Sequence, residues 1–168
     1  MTTSADTRQR GSGMWRLNIN GEIRECTADP HDLLVDVIRD SGLTGAKKAC
    51  GSGECGACTV LINGKPINSC LVMVGQLSES DVITTVEGIA KEGDRIFQSL
   101  SRSFIEEGAV QCGFCTPGII LSAYSLLKRI DDPSRAEIEE AIAGNLCRCT
   151  GYVSIVKAIG RAAHERRG

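Results

Sequence analysis

Cysteine is the residue type whose number and spacing indicate chemistry in this chain. The chain has 9 cysteines in 168 residues, and the first four have the spacing C-x4-C-x2-C-x11-C. One type of [2Fe–2S] cluster takes its thiolate ligands at this spacing, two on each iron. Three of the four stand in the segment KKACGSGECGACT, whose glycines permit the positive φ angles needed to wrap a small inorganic core. This first thiol group consists of Cys50, Cys55, Cys58 and Cys70.

A second thiol group has the pattern C-x2-C followed, thirty-one residues later, by C-x-C. Each of its cysteine pairs directly precedes a segment with helical periodicity. Two helix N-termini would therefore converge on the four thiols, stabilise thiolates and depress their pKa values. Taken alone, this group also suits an all-cysteine zinc site. Beside the first group, a second iron–sulfur cluster is the favoured interpretation, and no histidine stands near a pair as a Rieske centre would require. The members are Cys112, Cys115, Cys147 and Cys149.

Three other features receive simpler interpretations. Cys26 is left over from the two groups and is interpreted as a small packing residue. Residues 51–56 have the pattern G-x-G-x-x-G, but a dinucleotide site is rejected because no strand precedes the pattern and no βαβ unit follows it. With only two histidines, His31 and His164, the sequence does not favour a chymotrypsin-like or histidine-rich metal mechanism.

Strands predominate among the elements that must position the first group. Apolar and polar side chains alternate before the first of two Asn-Gly pairs, and the apolar run of residues 60–62 leads into the second. Residues 15–26 and 59–67 are therefore predicted to form two hairpins with type I′ turns. Pro66 places its strand at a sheet edge. Residues 33–38 have helical spacing, and residues 82–86 predict one more strand. The first half is therefore an α+β unit. Its turn pairs are Asn20-Gly21 and Asn63-Gly64.

Near residues 88–93 the periodicity becomes helical, and four helices are predicted after this point. The first has an apolar stripe over residues 96–105. Thr116 is the expected N-cap of the second, with Pro117 as its first helical residue. Ser134 begins a capping box at the third, and residues 155–163 give the stripe of the last. Arginines suited to the C-terminal end of its dipole are Arg161, Arg166 and Arg167.

Composition excludes several classes of protein. A hydrophobic content of 42% and a charged content of 24% are those of a globular chain. Nineteen Lys and Arg against 21 Asp and Glu give a net charge of −2, which argues against nucleic-acid or anionic-membrane binding. The longest nearly apolar run, residues 118–127, is too short for a transmembrane segment. Residues 1–13 are polar and are interpreted as a mobile tail without a secretory signal, so a cytoplasmic location is expected.

The sequence resembles a known family through four motifs. They are KKACGSGECGACTV, INSC, VQCGFCTPG and NLCRCTGY, and they occur in this order. With them, the chain is similar over residues 14–163 to the small iron–sulfur subunit of the molybdenum hydroxylases. This is the xanthine dehydrogenase and aldehyde oxidase group, which includes the small subunits of CO dehydrogenase and of quinoline and isoquinoline oxidoreductases. No ligand position departs from the family pattern.

The resemblance implies a fold and a division of labour between the two thiol groups. The fold would be α+β, with an N-terminal β-grasp domain of the plant-type ferredoxin kind over residues 14–88. An all-α four-helix domain over residues 92–168 would follow. The first thiol group would hold the [2Fe–2S] cluster nearer FAD, and the second group the cluster nearer molybdopterin. The residues implied to contact the pterin are Gln111 and Cys149.

The resemblance also implies an activity that belongs to a complex. This chain would carry electrons from a molybdopterin centre in a large subunit to FAD in a medium subunit. The complex, a dimer of heterotrimers with the cytosine dinucleotide form of the pterin, would hydroxylate an N-heteroaromatic substrate with oxygen from water. No catalytic substrate site is expected in this chain. The alternatives are a zinc-binding interaction module and a free-standing ferredoxin, although the latter would be more acidic than a net −2.

Overall fold

The computed structural model describes residues 13–91 and 93–165. The predicted mobile tail, residues 1–13, therefore lies outside the described residues except for Gly13, which begins the first strand. Arg166 and Arg167, expected near the end of the last helix, also lie outside them.

A five-stranded mixed sheet forms the first half of the chain. Its order is β2-β1-β5-β3-β4, with β1 and β5 parallel and the other pairs antiparallel. Both Asn-Gly turns have positive φ at each residue, as type I′ turns require, and Pro66 lies on an edge strand as predicted. The strands are β1 Gly13–Ile19, β2 Glu22–Ala28, β3 Thr59–Ile62, β4 Lys65–Asn68 and β5 Val82–Thr84.

The helix α1, Leu34–Asp40, covers one face of this sheet. Its apolar side chains pack in one buried cluster with Leu17, Ile19, Val60 and Ile83. Two short 3₁₀ turns, Ser69–Leu71 and Val74–Gln76, follow β4. This arrangement is the predicted β-grasp fold of a ferredoxin-type domain.

A helix that the sequence did not predict follows the sheet. The strand expected over residues 82–86 ends at Thr84, and α2 covers Val86–Lys91. The reason is tertiary, because Asn20 exchanges two hydrogen bonds with Thr85, a donor from its amide nitrogen and an acceptor at its oxygen. Thr85 is thereby held at the strand end, and its carbonyl accepts the N–H groups of Gly88 and Ile89 that begin the helix.

Four helices make up the second half, as predicted. The central helix, α4, is buried from Gly118 to Leu127 and packs on β3, where the Ser125 hydroxyl donates to the Gly64 carbonyl at 2.8 Å. Leu61 of β3 belongs to the apolar core of these helices. The four are α3 Arg95–Glu106, α4 Thr116–Arg129, α5 Arg135–Ile142 and α6 Val153–Glu165.

The helix starts differ from the sequence expectation at one place. Ser134 and Glu137 form the predicted capping box. The N-cap of α4, however, is Cys115 and not Thr116, which is already the first helical residue. Cys115 makes no side-chain capping bond. None of the helices within residues 13–91 and 93–165 has the length and apolar character needed to cross a membrane.

Candidate metal centres

The first thiol group surrounds a loop between α1 and β3. Cys50, Cys55 and Cys58 lie on the loop, and Cys70 lies on the 3₁₀ turn after β4. Cys50 is exposed, whereas Cys58 and Cys70 are each only 3% exposed. The structure therefore brings the four predicted residues to one place, with one end of the group at the surface and the other in the interior.

Glycines determine the backbone path of this loop. Gly51, Gly53 and Gly56 have φ angles of 69°, 81° and 65°, a region that other residues rarely adopt. A Cβ atom on Gly53 would collide with the Leu71 side chain, and one on Gly56 would collide with the backbone carbonyl of Gly144. Both the backbone conformation and the close approach therefore require glycine.

Within the first group the thiols interact in two pairs. Cys50 is hydrogen-bonded to Cys55, and Cys58 to Cys70. The backbone N–H of Ser52 donates to Cys50 Sγ at 3.5 Å and is the main reason that the pKa of Cys50 falls to about 5. Burial and the Cys58 thiol raise the pKa of Cys70 to about 11. Iron binding would therefore displace a proton at Cys70.

The second thiol group joins the starts of two helices. Cys112 and Cys115 precede α4, and Cys147 and Cys149 precede α6. Cys149 Sγ lies 3.5 Å from Cys112 Sγ, and Cys115 is hydrogen-bonded to Cys147. The predicted convergence of two helix N-termini on one site is thus confirmed.

The expected lowering of the thiol pKa values is confirmed for only two of the four cysteines in this group. The backbone N–H of Phe114 lowers the pKa of Cys112. Burial opposes ionisation of Cys147, but hydrogen bonds from Thr150 lower its pKa to about 7. For Cys115 and Cys149 the expected lowering of the pKa is wrong. Burial raises the pKa of Cys115 to about 12, and donation to Cys112 raises that of Cys149. Burial of Cys115 and thiol-to-thiol donation by Cys115 and Cys149 thus outweigh the effect of the helix ends on these two pKa values.

The donor sets suit two-iron clusters. The thiols lie as two pairs within each group. A [2Fe–2S] cluster takes two thiolates on each of its two irons. The assignment of individual cysteines as ligands stays a prediction.

Two residues outside the predicted ligand set, Thr150 and Tyr152, support the second group. Tyr152 has a φ of 69°, which brings its phenol back over the turn before α6. The phenol oxygen accepts the N–H of Cys147 at 2.8 Å and donates to the Asn145 carbonyl at 3.2 Å. The Thr150 hydroxyl lies 3.3 Å from Cys147 Sγ. Both residues stand in the motif NLCRCTGY, and this motif was the sequence signal that could have identified them.

The predicted pterin contacts lie at the surface. Gln111 and Cys149 are exposed, as is Cys112, which follows Gln111 in the chain and lies 3.5 Å from Cys149 between the two sulfur atoms. Their contact with a pterin stays a prediction. Cys26 is half-buried opposite Trp15 on β1 and packs against the core of the sheet, in agreement with its interpretation as a packing residue.

Comparisons with known proteins give a consistent result. Residues 17–92 match the family described as 2Fe-2S iron-sulfur cluster binding domain, and residues 85–160 match the family described as [2Fe-2S] binding domain. The chain is 50% identical over 151 residues to the nicotinate dehydrogenase small FeS subunit of Eubacterium barkeri, covering 89% of this chain and 94% of that protein. It is 43% identical over 143 residues to the xanthine dehydrogenase iron-sulfur-binding subunit of Escherichia coli O157:H7, covering 84% and 88%. Among solved structures, quinoline 2-oxidoreductase from Pseudomonas putida 86 matches with a TM-score of 0.83 and 42% identity, covering 94% of this chain and 98% of that one.

The fold and the two thiol groups thus define an iron–sulfur protein with two [2Fe–2S] binding domains. The chain belongs to the family of small iron–sulfur subunits of the molybdenum hydroxylases. It is accordingly an electron-transfer subunit of an oxidoreductase complex.

Proposed function

We propose that this chain carries electrons from a molybdopterin centre, through two [2Fe–2S] clusters, to FAD in a partner subunit. The observation that carries the proposal is the gathering of eight thiols into two groups whose loops are in direct contact. The backbone N–H of Leu146, next to Cys147, donates to the carbonyl of Cys55 at 2.9 Å. Each group supplies the four thiolates that one cluster needs. The clusters supply one-electron redox chemistry, and the protein fixes their separation and their surroundings.

The proposed direction of transfer is supported by the residues exposed at each group. The second group would receive electrons, because the exposed residues Gln111, Cys112 and Cys149 leave it open to a partner that holds a pterin. An amide side chain both donates and accepts, so Gln111 suits the polar edge of a pterin. The first group would release electrons through its exposed outer end at Cys50. The partners are a large subunit with the cytosine dinucleotide form of molybdopterin and a medium FAD subunit, in a dimer of heterotrimers.

An N-heteroaromatic compound is the proposed substrate of the complex. Its support is the names of similar proteins, which specify nicotinate, xanthine and quinoline. Hydroxylation with oxygen from water would occur in the large subunit, and this chain would only remove electrons. The use of cysteines as metal ligands favours a reducing compartment, which supports a cytoplasmic location.

Cofactor content is the first test. Two [2Fe–2S] clusters correspond to about four irons and four acid-labile sulfides per chain. Their ligand loops differ, so EPR of the dithionite-reduced protein should show two distinct signals. Stoichiometric zinc would establish the zinc-binding alternative, and half the iron with one signal would leave only one cluster.

The order of the clusters is the second test. In the assembled complex, Cys55→Ser should perturb the cluster of the first group alone. Substrate from an N-heteroaromatic panel should still reduce the cluster of the second group in a single turnover, while flavin reduction slows sharply. Flavin reduction at the wild-type rate would contradict the proposed order.

A further inference from the structure

Asn145 connects the two halves of the molecule at the point where the thiol groups meet. It lies in the turn between α5 and α6, two residues before Cys147, and is only 3% exposed. Its amide nitrogen donates to the Gly56 carbonyl and to Thr59 Oγ1, both at 3.0 Å. Its oxygen accepts the Ser122 hydroxyl of α4 at 2.8 Å. A buried amide with all of these bonds made holds its neighbours in a single arrangement.

The surrounding backbone is fitted to this side chain. Gly118 of α4 lies against Gly56, since a Cβ atom on Gly118 would be 2.5 Å from the Gly56 carbonyl oxygen. Thr59 also donates to that carbonyl at 2.7 Å. The contact between the loops therefore has neither space nor a free donor for a second arrangement of the Asn145 side chain.

The hydrogen bond from Leu146 to Cys55 lies directly beside this contact. Cys55 contributes its carbonyl, and Leu146 is joined to Cys147 by one peptide bond. One hydrogen bond and the backbone of a single residue, Leu146, therefore connect a cysteine of the first group to a cysteine of the second. Electron transfer weakens steeply with distance, and more steeply across empty space than through bonds, so this bridge favours transfer between the two sites.

We propose that Asn145 is a positioning residue for electron transfer between the two clusters. Its amide holds the Cys55–Gly56 segment against the turn before Cys147, and the bridging hydrogen bond is thereby kept short. With both clusters bound, one electron would pass from the reduced cluster held by the second thiol group, which would be oxidised, to the cluster held by the first group, which would be reduced. No bond forms or breaks and no proton moves. The inference rests on the proposed function, because it requires a cluster at each group.

The test compares variants of the assembled complex. Asn145→Asp keeps the acceptor for Ser122 and loses both donors. Ser125→Ala removes a different hydrogen bond between the halves, the one to the Gly64 carbonyl in the turn between β3 and β4. A pulse of reduced methyl viologen adds one electron, and its redistribution between the clusters is followed optically. A lengthened or broken bridge weakens the electronic coupling between the clusters, so we expect redistribution to be several-fold slower in Asn145→Asp. Ser125→Ala should retain the wild-type rate.

A second readout is the magnetic interaction between the clusters in the fully reduced protein. Its splitting of the EPR signals should decrease in Asn145→Asp and be unchanged in Ser125→Ala. If Asn145→Asp does not load both clusters, Thr59→Val decides the question, because it removes one acceptor of the amide and keeps the side-chain shape. A wild-type redistribution rate and splitting in a loaded variant would overturn the inference. Failure of the proposed function would appear in the wild type itself, as a missing cluster or absent redistribution.

Discussion

Thr150 provides a test of how this fold sets the reduction potential of one cluster. Its hydroxyl oxygen accepts the N–H of Tyr152 at 3.2 Å, which leaves the hydroxyl hydrogen free to point to Cys147 Sγ at 3.3 Å. A thiolate ligand only accepts, so in the loaded protein Thr150 donates. The reduced cluster carries more negative charge on its sulfurs, and the hydrogen bond therefore stabilises the reduced form more than the oxidised form.

The size of the effect follows from the value of one hydrogen bond. The net contribution of one hydrogen bond is about 1 kcal/mol. A tenfold change in an equilibrium constant is about 1.4 kcal/mol and about 59 mV for one electron. If about 1 kcal/mol of the bond is realised only in the reduced state, Thr150→Val lowers the potential by about 40 mV. Thr150→Ser keeps the hydroxyl and should remain near the wild-type potential.

The measurement is an EPR-monitored redox titration of the assembled complex. Thr150→Val should shift the signal of the cluster at Cys147 and leave the other signal in place. The same variant leaves the N–H of Tyr152 unpaired, so its free energy of unfolding should fall by about 1–3 kcal/mol, whereas Thr150→Ser should retain the stability. An unchanged or raised potential in Thr150→Val would refute the reasoning, as would a shift confined to the other cluster.

Three further predictions concern residues outside the eight expected ligands. Cys26→Ala should keep both EPR signals and lower the free energy of unfolding by at most about 1–2 kcal/mol; loss of either signal would show that the ligand assignment is wrong. Asp94 accepts from Lys128 and from the N–H of Ile96, and against the opposing effect of burial these bonds hold its pKa below the ordinary value. The contribution of Asp94 to stability is thus present above about pH 4 and lost as the pH falls through the depressed pKa. The free energy of unfolding of Asp94→Asn should therefore depend less on pH in this range. An unchanged pH dependence would contradict this account. Gln111→Ala removes an exposed side chain and should change the free energy of unfolding by less than about 0.5 kcal/mol. In the complex it should nevertheless slow the reduction by substrate of the cluster held by the second group. Reduction at the wild-type rate would show that Gln111 does not contact the pterin.

Local signals in the sequence predicted most of the fold. The Asn-Gly pairs, the capping box at Ser134 and the glycines of the first loop act through nearby backbone, and the structure has each of them as expected. The start of α2 depends instead on Asn20, which is 65 residues from Thr85 in the chain, and the β-branched residues 82–86 gave no sign of it. The spacing of the cysteines likewise predicted which thiols meet. It did not predict which thiol of a pair donates, because that depends on burial and on single hydrogen bonds such as that of Thr150.

Leu61 has a consequence for how the chain unfolds. This strand residue belongs to the apolar core of the helices, and Ile89 of α2 belongs to the same core. The sheet therefore has α1 on one face and uses the helical half as the second layer of a sandwich. Cutting the chain between residues 88 and 92 would divide α2, expose the face of β3 that α4 covers, and leave each fragment with an open core. Although two cluster-binding families match the chain, we expect it to melt in one cooperative transition, as a single thermodynamic unit.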